Sequence, residues 1–243
     1  MTLLRSALFL LWFALVSAVL NIGFLPALLL PPRVAMLGCR WWCGLSLWGL
    51  KVFAGLDYEV RGQIPAHGAL VAAKHMSMWD TIALFHLLGA PAIILKHELF
   101  NVPFYGWYTK KIGMIGIDRE GKAAALRNMA AASRDAIAKG RSLLIFPEGT
   151  RKKPGDAPDY KPGVAALYSQ LGKECVPVAL NSGLYWTGFI KRPGTIVIAF
   201  LPPIAPGLRS REFMAALEAS IEGATSRLLA EGSVRPCPPG EGG

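Results

Sequence analysis

The stretch ALVAAKHMSMWDTIALFHLL, residues 69–88, decides how this chain is read. It opens with five small or apolar residues, 69–73, short enough and apolar enough for a buried strand. It closes with an apolar run, 79–88, that is long enough for a helix. Between them stand His75 and Asp80, five residues apart. On a continuous helix five residues rotate by about 500°, which leaves the two side chains about 140° apart. They meet only if His75 ends the strand and Asp80 sits in the first turn of the helix that follows. In that layout Asp80 accepts from one ring nitrogen of His75, and the other nitrogen is left free as a base. An acid in a helix's first turn also complements the helix dipole, which accounts for Asp80 without His75.

The same alternation continues along the chain. Apolar runs at 58–61, 69–73, 92–95, 114–117, 142–146, 176–180 and 195–200 predict strands, and 79–88, 104–112, 122–139, 164–171 and 210–229 predict helices. Strands and helices in alternation predict an α/β fold, a mixed sheet flanked by helices. Gly140 is placed to end the long helix, and Ser210 to cap the last one.

Three further patches fall at strand ends, where α/β sheets place their sites. Lys96 follows the strand at 92–95. Gly113-Met114-Ile115-Gly116-Ile117-Asp118-Arg119 ends a strand with an acid beside a base, and Arg119 offers a guanidinium fork suited to phosphate. Phe146-Pro147-Glu148-Gly149-Thr150-Arg151 follows the most apolar strand. There Gly149 admits a ligand to the backbone, Glu148 can accept from a hydroxyl, and Thr150 and Arg151 can donate to phosphate. Each patch also has a plain structural reading: a solvated side chain for Lys96, a surface ion pair for Arg119, and a tight turn before a basic loop for 146–151; Val176-Pro177-Val178 reads as a core strand. Ser77 lacks the Gly-x-Ser-x-Gly elbow of serine hydrolases, so the chemistry that fits is direct attack by a substrate hydroxyl on which His75 acts.

Composition places the chain near a membrane. Hydrophobic residues make up 53% of its 243 residues, and residues 6–30 carry no charge. That run is preceded by Arg5 and followed by Pro26; a second apolar stretch, 34–56, carries Trp41, Trp42 and Trp48. About twenty apolar residues suffice for a spanning helix. Pro31-Pro32 separates the two stretches, which predicts a two-helix hairpin in or on a bilayer, with its tryptophans and arginines near the headgroups. The first stretch alone also fits a signal peptide, but the second favours a retained anchor. Arg33, Arg40 and Lys51 are costly at the bilayer centre, which favours partial insertion. The net charge of +10 suits an anionic membrane or an anionic substrate; no nucleic-acid motif accompanies it. The four cysteines show neither a zinc spacing nor the density of a disulfide scaffold. The boundaries expected are a membrane-anchoring hairpin at 1–56, an α/β domain at 57–231, and a disordered Pro/Gly-rich tail at 232–243.

In order and together, these patches resemble the glycerolipid acyltransferase family, in particular the 1-acyl-glycerol-3-phosphate acyltransferases of bacterial membranes. His75 and Asp80 match its His-x4-Asp motif, 113–119 its second motif, 146–151 its third and Val176-Pro177-Val178 its fourth. Lys96-His97-Glu98-Leu99 looks like its Lys-x-Glu-Leu segment. Gly116 departs from the pattern, which more usually has a bulky apolar residue there, and this enlarges the space expected near Arg119. The resemblance implies a glycerol-3-phosphate acyltransferase-like fold with an N-terminal two-helix membrane element. It implies His75 as general base with Asp80 orienting it, and Arg119 and Lys96 on the acceptor phosphate. It implies Glu148, Gly149, Thr150 and Arg151 around a glycerol-phosphate pocket, and Pro177 in an active-site wall. It further implies lysophosphatidic acid as acceptor, acyl-CoA or acyl carrier protein as co-substrate, no cofactor or metal, and a place on the cytoplasmic face of the bacterial inner membrane; the alternatives are another lyso-lipid acceptor, such as lyso-ornithine lipid or a lysophospholipid, and, more distantly, a non-catalytic membrane lipid-binding protein.

Overall fold

The computed structural model describes residues 1–118 and 122–234. Two helices lead, α1 (Thr2–Gly23) and α2 (Pro32–Gly49). The α/β part follows as β1 (Leu56–Arg61), β2 (Leu70–Ala73), α3 (Met78–Leu87), β3 (Ala92–Lys96), α4 (Tyr105–Lys111), β4 (Ile115–Ile117), α5 (Lys122–Ala138), β5 (Leu143–Ile145) and α6 (Gly163–Leu171). It ends with β6 (Cys175–Leu180), β7 (Trp186–Thr187), β8 (Ile190–Lys191), β9 (Gly194–Phe200) and α7 (Ser210–Val234). All seven predicted strands and all five predicted helices of the α/β part are present, within a few residues at their ends. The short β7–β8 hairpin was not foreseen; two-residue strands carry no periodicity to read.

Among the described residues seven strands form one sheet in the order β1-β9-β6-β2-β5-β3-β4. From β6 to β4 all neighbours are parallel, whereas β9 runs antiparallel to β6 and parallel to β1. Parallel strands covered on both faces read as continuous apolar runs, as in LVAA of β2 and CVPVAL of β6. Their alternate residues divide between two cores. Val71, Ala73, Ile93 and Val178 face the leading helices and α3, where Trp79, Ile82 and Phe9 pack. Leu70, Ala72, Ala92 and Leu143 face α5, α6 and α7, where Met129, Leu167, Phe213 and Leu217 pack. Five parallel strands thus deliver their carboxyl ends to one edge of the sheet, where the quoted motifs lie side by side.

The leading helices form the expected hairpin. Trp12 Nε1 donates to the Leu45 carbonyl at 2.9 Å and Trp42 Nε1 to Ser17 Oγ at 2.9 Å. Gly49 permits the close approach: a Cβ there would lie 2.1 Å from the Trp12 ring. Among the described residues only α1 is long and apolar enough to cross a membrane; α2, with Arg33 and Arg40, is not. The hairpin is separate in sequence but not in packing, because Phe9, Ala35 and Leu50 belong to the same core cluster as Val71 and Leu144.

Two helix-end readings need correction. Ser210 lies inside the first turn of α7 rather than ahead of it, and the residue before it, Arg209, receives the back-reaching Glu212 carboxylate on its N–H at 3.3 Å. α7 also continues through Val234, past the start of the expected tail at 232; the rest of that tail, 235–243, lies outside the described residues. Gly140 does follow α5, at φ +75°. Cys39, Cys43 and Cys175 are free thiols.

Candidate active site

His75 follows β2 by two residues and Asp80 occupies the first turn of α3. The strand-then-helix break that the sequence demanded is present, with Ser77 as the extended N-cap at φ −150°. His75 Nδ1 lies 3.1 Å from Asp80 Oδ2. That carboxylate oxygen also accepts the backbone N–H groups of Met76, at 2.6 Å, and Ser77, at 2.8 Å. The Ser77 contact is the returning arm of a capping box. Oδ1 accepts from the hydroxyls of Ser77 and Ser182. Asp80 is fully buried, so its position is fixed by donors from β2's exit loop, α3 and the turn after β6 together. A carboxylate only accepts, so the proton of the His75–Asp80 bond resides on Nδ1 and Nε2 carries the lone pair. Nε2 has no protein partner among the described residues, and the ring is slightly exposed. The imidazole lies flat on Phe146, centroids 4.0 Å apart and planes 22° apart, which fixes its plane.

The third motif reaches His75 from the neighbouring strand. β5 pairs with β2, with Ala72 opposite Ile145, so 146–151 leaves the sheet beside 74–80. Gly149 turns the chain at φ +65°, a conformation open to glycine. The Lys152 N–H then donates to the His75 carbonyl at 2.8 Å. Thr150 and Arg151 are exposed at the same edge.

Glu148 is placed differently from the hydroxyl acceptor the sequence suggested. Its side chain is buried against Lys74, Nζ to Oε1 2.9 Å, and it also accepts the backbone N–H of His75. Lys74 Nζ lies 2.8 Å and 2.9 Å from the two carboxylate oxygens of Glu222 on α7, and the Tyr160 hydroxyl donates to Glu222 at 2.9 Å. Because successive residues leave a strand on opposite sides, Lys74 turns toward α7 while His75 turns the other way, onto the Phe146 ring. Burial pushes the Glu148 carboxyl above its ordinary range, against the pull of Lys74. Its Oε2 has no hydrogen-bond partner among the described residues. The cluster ties the exits of β2 and β5 to α7 directly behind the imidazole. A cleft of about 660 Å³ adjoins it, between residues 153–158 and α7, lined by Lys74, Met76, Glu218 and Glu222 rather than by His75.

The remaining predicted residues are more scattered. Lys96 ends β3, exposed and paired with Glu98 at 3.0 Å. Arg119 lies outside the described residues. Pro177 is buried within β6, opposite Ala72. It stands just before β9 begins to pair at Val178, where the missing N–H interrupts no ladder bond. The space opened by Gly116 is filled: a Cβ there would lie 2.4 Å from the Phe100 ring and 3.0 Å from His97. Lys74, Ser182 and Glu222 escaped the sequence reading. Their partners stand 74, 102 and 148 positions away in contacts that no local pattern announces. A lysine closing a wholly apolar strand is the one signal that pointed to a buried ion pair.

A histidine oriented through a buried carboxylate, exposing its second nitrogen beside backbone and basic groups at a parallel-strand edge, suits proton abstraction from a hydroxyl. The profile of the family described as Acyltransferase matches residues 57–181, which span every strand of that edge. This chain belongs to the acyltransferase family.

Its relatives in the family agree. A 1-acyl-sn-glycerol-3-phosphate acyltransferase of Pseudomonas aeruginosa is 36% identical over 194 residues, covering 78% of this chain and 76% of that protein. A lyso-ornithine lipid O-acyltransferase of the same organism is 31% identical over 144 residues, covering 58% of this chain and 52% of that protein. The crystal structure of the 1-acyl-sn-glycerophosphate (LPA) acyltransferase from Thermotoga maritima shares the acyltransferase's fold, with a TM-score of 0.73 at 21% identity, over 97% of this chain and 100% of that one.

Proposed function

We propose that this acyltransferase moves an acyl chain from acyl-CoA or acyl carrier protein to the sn-2 hydroxyl of 1-acyl-glycerol-3-phosphate, giving phosphatidic acid. The observation that carries the chemistry is the His75 Nδ1–Asp80 contact at 3.1 Å, which leaves Nε2 without a protein partner among the described residues. The acceptor assignment draws on the 36% identical Pseudomonas relative. His75 Nε2 takes the hydroxyl proton as the oxygen attacks the thioester carbonyl. The tetrahedral oxyanion collapses, the C–S bond breaks, and the departing thiolate takes the proton back from His75. No covalent acyl-enzyme forms, so neither Ser77 nor Ser182 is needed as nucleophile; both hydroxyls are engaged by Asp80.

The acceptor phosphate is assigned to Arg119, with Lys96 and Arg151 supplying positive charge at the same edge, and Gly149 and Thr150 bordering the glycerol. Glu148 and Pro177 are assigned a supporting role, because both are buried. The helical hairpin at 1–56 anchors the enzyme at the cytoplasmic face of the bacterial inner membrane, where its single-chain acceptor resides.

The test is thiol release from palmitoyl-CoA, and from palmitoyl-acyl carrier protein, by the purified full chain with and without lysophosphatidic acid. Acceptor-dependent release is expected, reduced about 10²- to 10⁴-fold in a folded His75→Ala variant. Unchanged turnover in that variant rules out His75 as base. Release that depends on lyso-ornithine lipid instead identifies the acceptor named for the 31% identical relative.

A further inference from the structure

We propose that residues 99–107, which follow β3 and run into the first turn of α4, form a second contact with the lipid bilayer, continuous with the turn of the N-terminal hairpin, at the route by which the acceptor reaches His75. This rests on the membrane reading of the hairpin given above.

Five large apolar or aromatic side chains within these nine residues are exposed, among them Val102 at 43%, Phe104 at 37% and Trp107 at 47%. Clustered exposure of this kind marks an interaction surface, whereas scattered single residues do not. The segment is rigidly presented. Gly106 permits its fold, since a Cβ there would lie 2.1 Å from the Phe100 carbonyl oxygen, and the Phe100 ring is seated over Gly116. Phe104 and Trp107 pair with centroids 5.2 Å apart.

One end of the segment meets the hairpin. Tyr108 Oη donates to the Asn21 carbonyl at 2.7 Å, near the end of α1, and the adjoining turn exposes Leu29 at 91% and Leu30 at 47%. The other end starts three residues after Lys96, which closes β3, and Tyr105 within the segment lies near enough to Arg151 to feel its charge. The segment therefore bridges the hairpin turn and the edge that carries the third motif. Its chemistry selects a bilayer as occupant. Aromatic rings with an apolar body and a polar rim favour the headgroup boundary. Exposed Lys110, Arg33 and Arg40 on the flanking helices complement anionic headgroups.

The experiment is co-flotation of the full chain with vesicles of phosphatidylethanolamine and phosphatidylglycerol, comparing wild type, Val102→Asn/Trp107→Gln and Leu8→Asn/Leu11→Asn. The last pair alters exposed residues of α1. The Val102/Trp107 variant is expected to partition at least about tenfold less, given the apolar area withdrawn from water. Its turnover should also fall more on vesicle-presented than on micellar lysophosphatidic acid. Equal melting temperatures establish that all three are folded. If the Val102/Trp107 variant floats like wild type while the α1 variant does not, this inference is overturned and the hairpin reading stands. If both float like wild type, this inference is overturned; if the wild type itself does not float, the membrane reading fails. If the Val102/Trp107 change converts a dimer to a monomer without altering flotation, the patch joins two copies of this chain and the inference is equally overturned.

Discussion

Lys74→Met removes the one cation between two carboxylates. Lys74 and Glu148 are both essentially buried, while the Glu222 side chain keeps 25% of its exposure and a bond from Tyr160. Removal of one partner from a buried ion pair costs about 3–5 kcal/mol, because the other charge stays buried and uncompensated. Glu148 dominates that cost; Glu222 can turn to water. For a chain of this size each kcal/mol lowers Tm by roughly 2–4 °C, so a fall of roughly 6–20 °C is expected in thermal unfolding followed by circular dichroism in mild detergent. The double variant Lys74→Met/Glu148→Gln removes both charges and should recover at least about 1 kcal/mol of the loss. The pH dependence has a definite sign. Burial already raises the Glu148 carboxyl in the folded protein, and loss of Lys74 raises it further. A carboxyl raised in the folded state binds its proton more tightly there than in the unfolded chain, so the variant's deficit grows as pH rises from the ordinary carboxylate range and shrinks on acidification. A loss below about 1 kcal/mol, or a double variant no better than the sum of its singles, refutes the buried-pair reasoning.

Asp80→Asn retains the size of the side chain but has one accepting oxygen where the carboxylate has two: placed for Nδ1, Met76 N–H and Ser77 N–H it turns its NH2 on the Ser77 and Ser182 hydroxyls, and flipped it turns the NH2 on the imidazole. Turnover in the thiol-release assay should fall by at least about 10²-fold as the imidazole loses its fixed tautomer, and wild-type turnover would remove Asp80 from the mechanism. Lys191 is buried with its ammonium on backbone carbonyls and 4.3 Å from the Trp186 ring centroid, and burial lowers its pKa to about 8. Between that value and the ordinary lysine range the unfolded chain holds a proton that the folded chain has lost. Wild-type stability relative to Lys191→Met should therefore rise with pH across that window, and a flat difference in denaturant titrations from pH 7 to 10 contradicts it. Gly116→Leu must displace the Phe100 ring and should cost about 1–3 kcal/mol, with relief when Phe100→Ala is added; no relief on thermal unfolding means the strain lies elsewhere.

Much of this protein was legible without coordinates because its signals are local. Apolar runs of strand length alternating with helical runs gave the α/β class. The five-residue spacing of His75 and Asp80 required a strand–loop–helix break, since neither continuous element brings the side chains together, and β2 and α3 supply it. The apolar stretches divided by Pro31-Pro32 gave the hairpin, although among the described residues only α1 has the length and apolarity to span.

What the tertiary structure decided concerns groups far apart in sequence. The order β6-β2-β5-β3-β4, which aligns His75, the third motif and Lys96 along one edge, depends on which strands cross over which. Glu148 is a case in point: as a letter between proline and glycine it reads as a ligand for substrate, and only the proximity of Lys74 and α7 makes it a buried partner of a lysine behind the His75 ring. Gly116 likewise reads as open space until Phe100 is found in it. Local spacing fixes backbone periodicity and hence which side chains can share a face. Partners of buried charges and fillers of gaps are set by packing between elements, which the chain reaches only once it has folded.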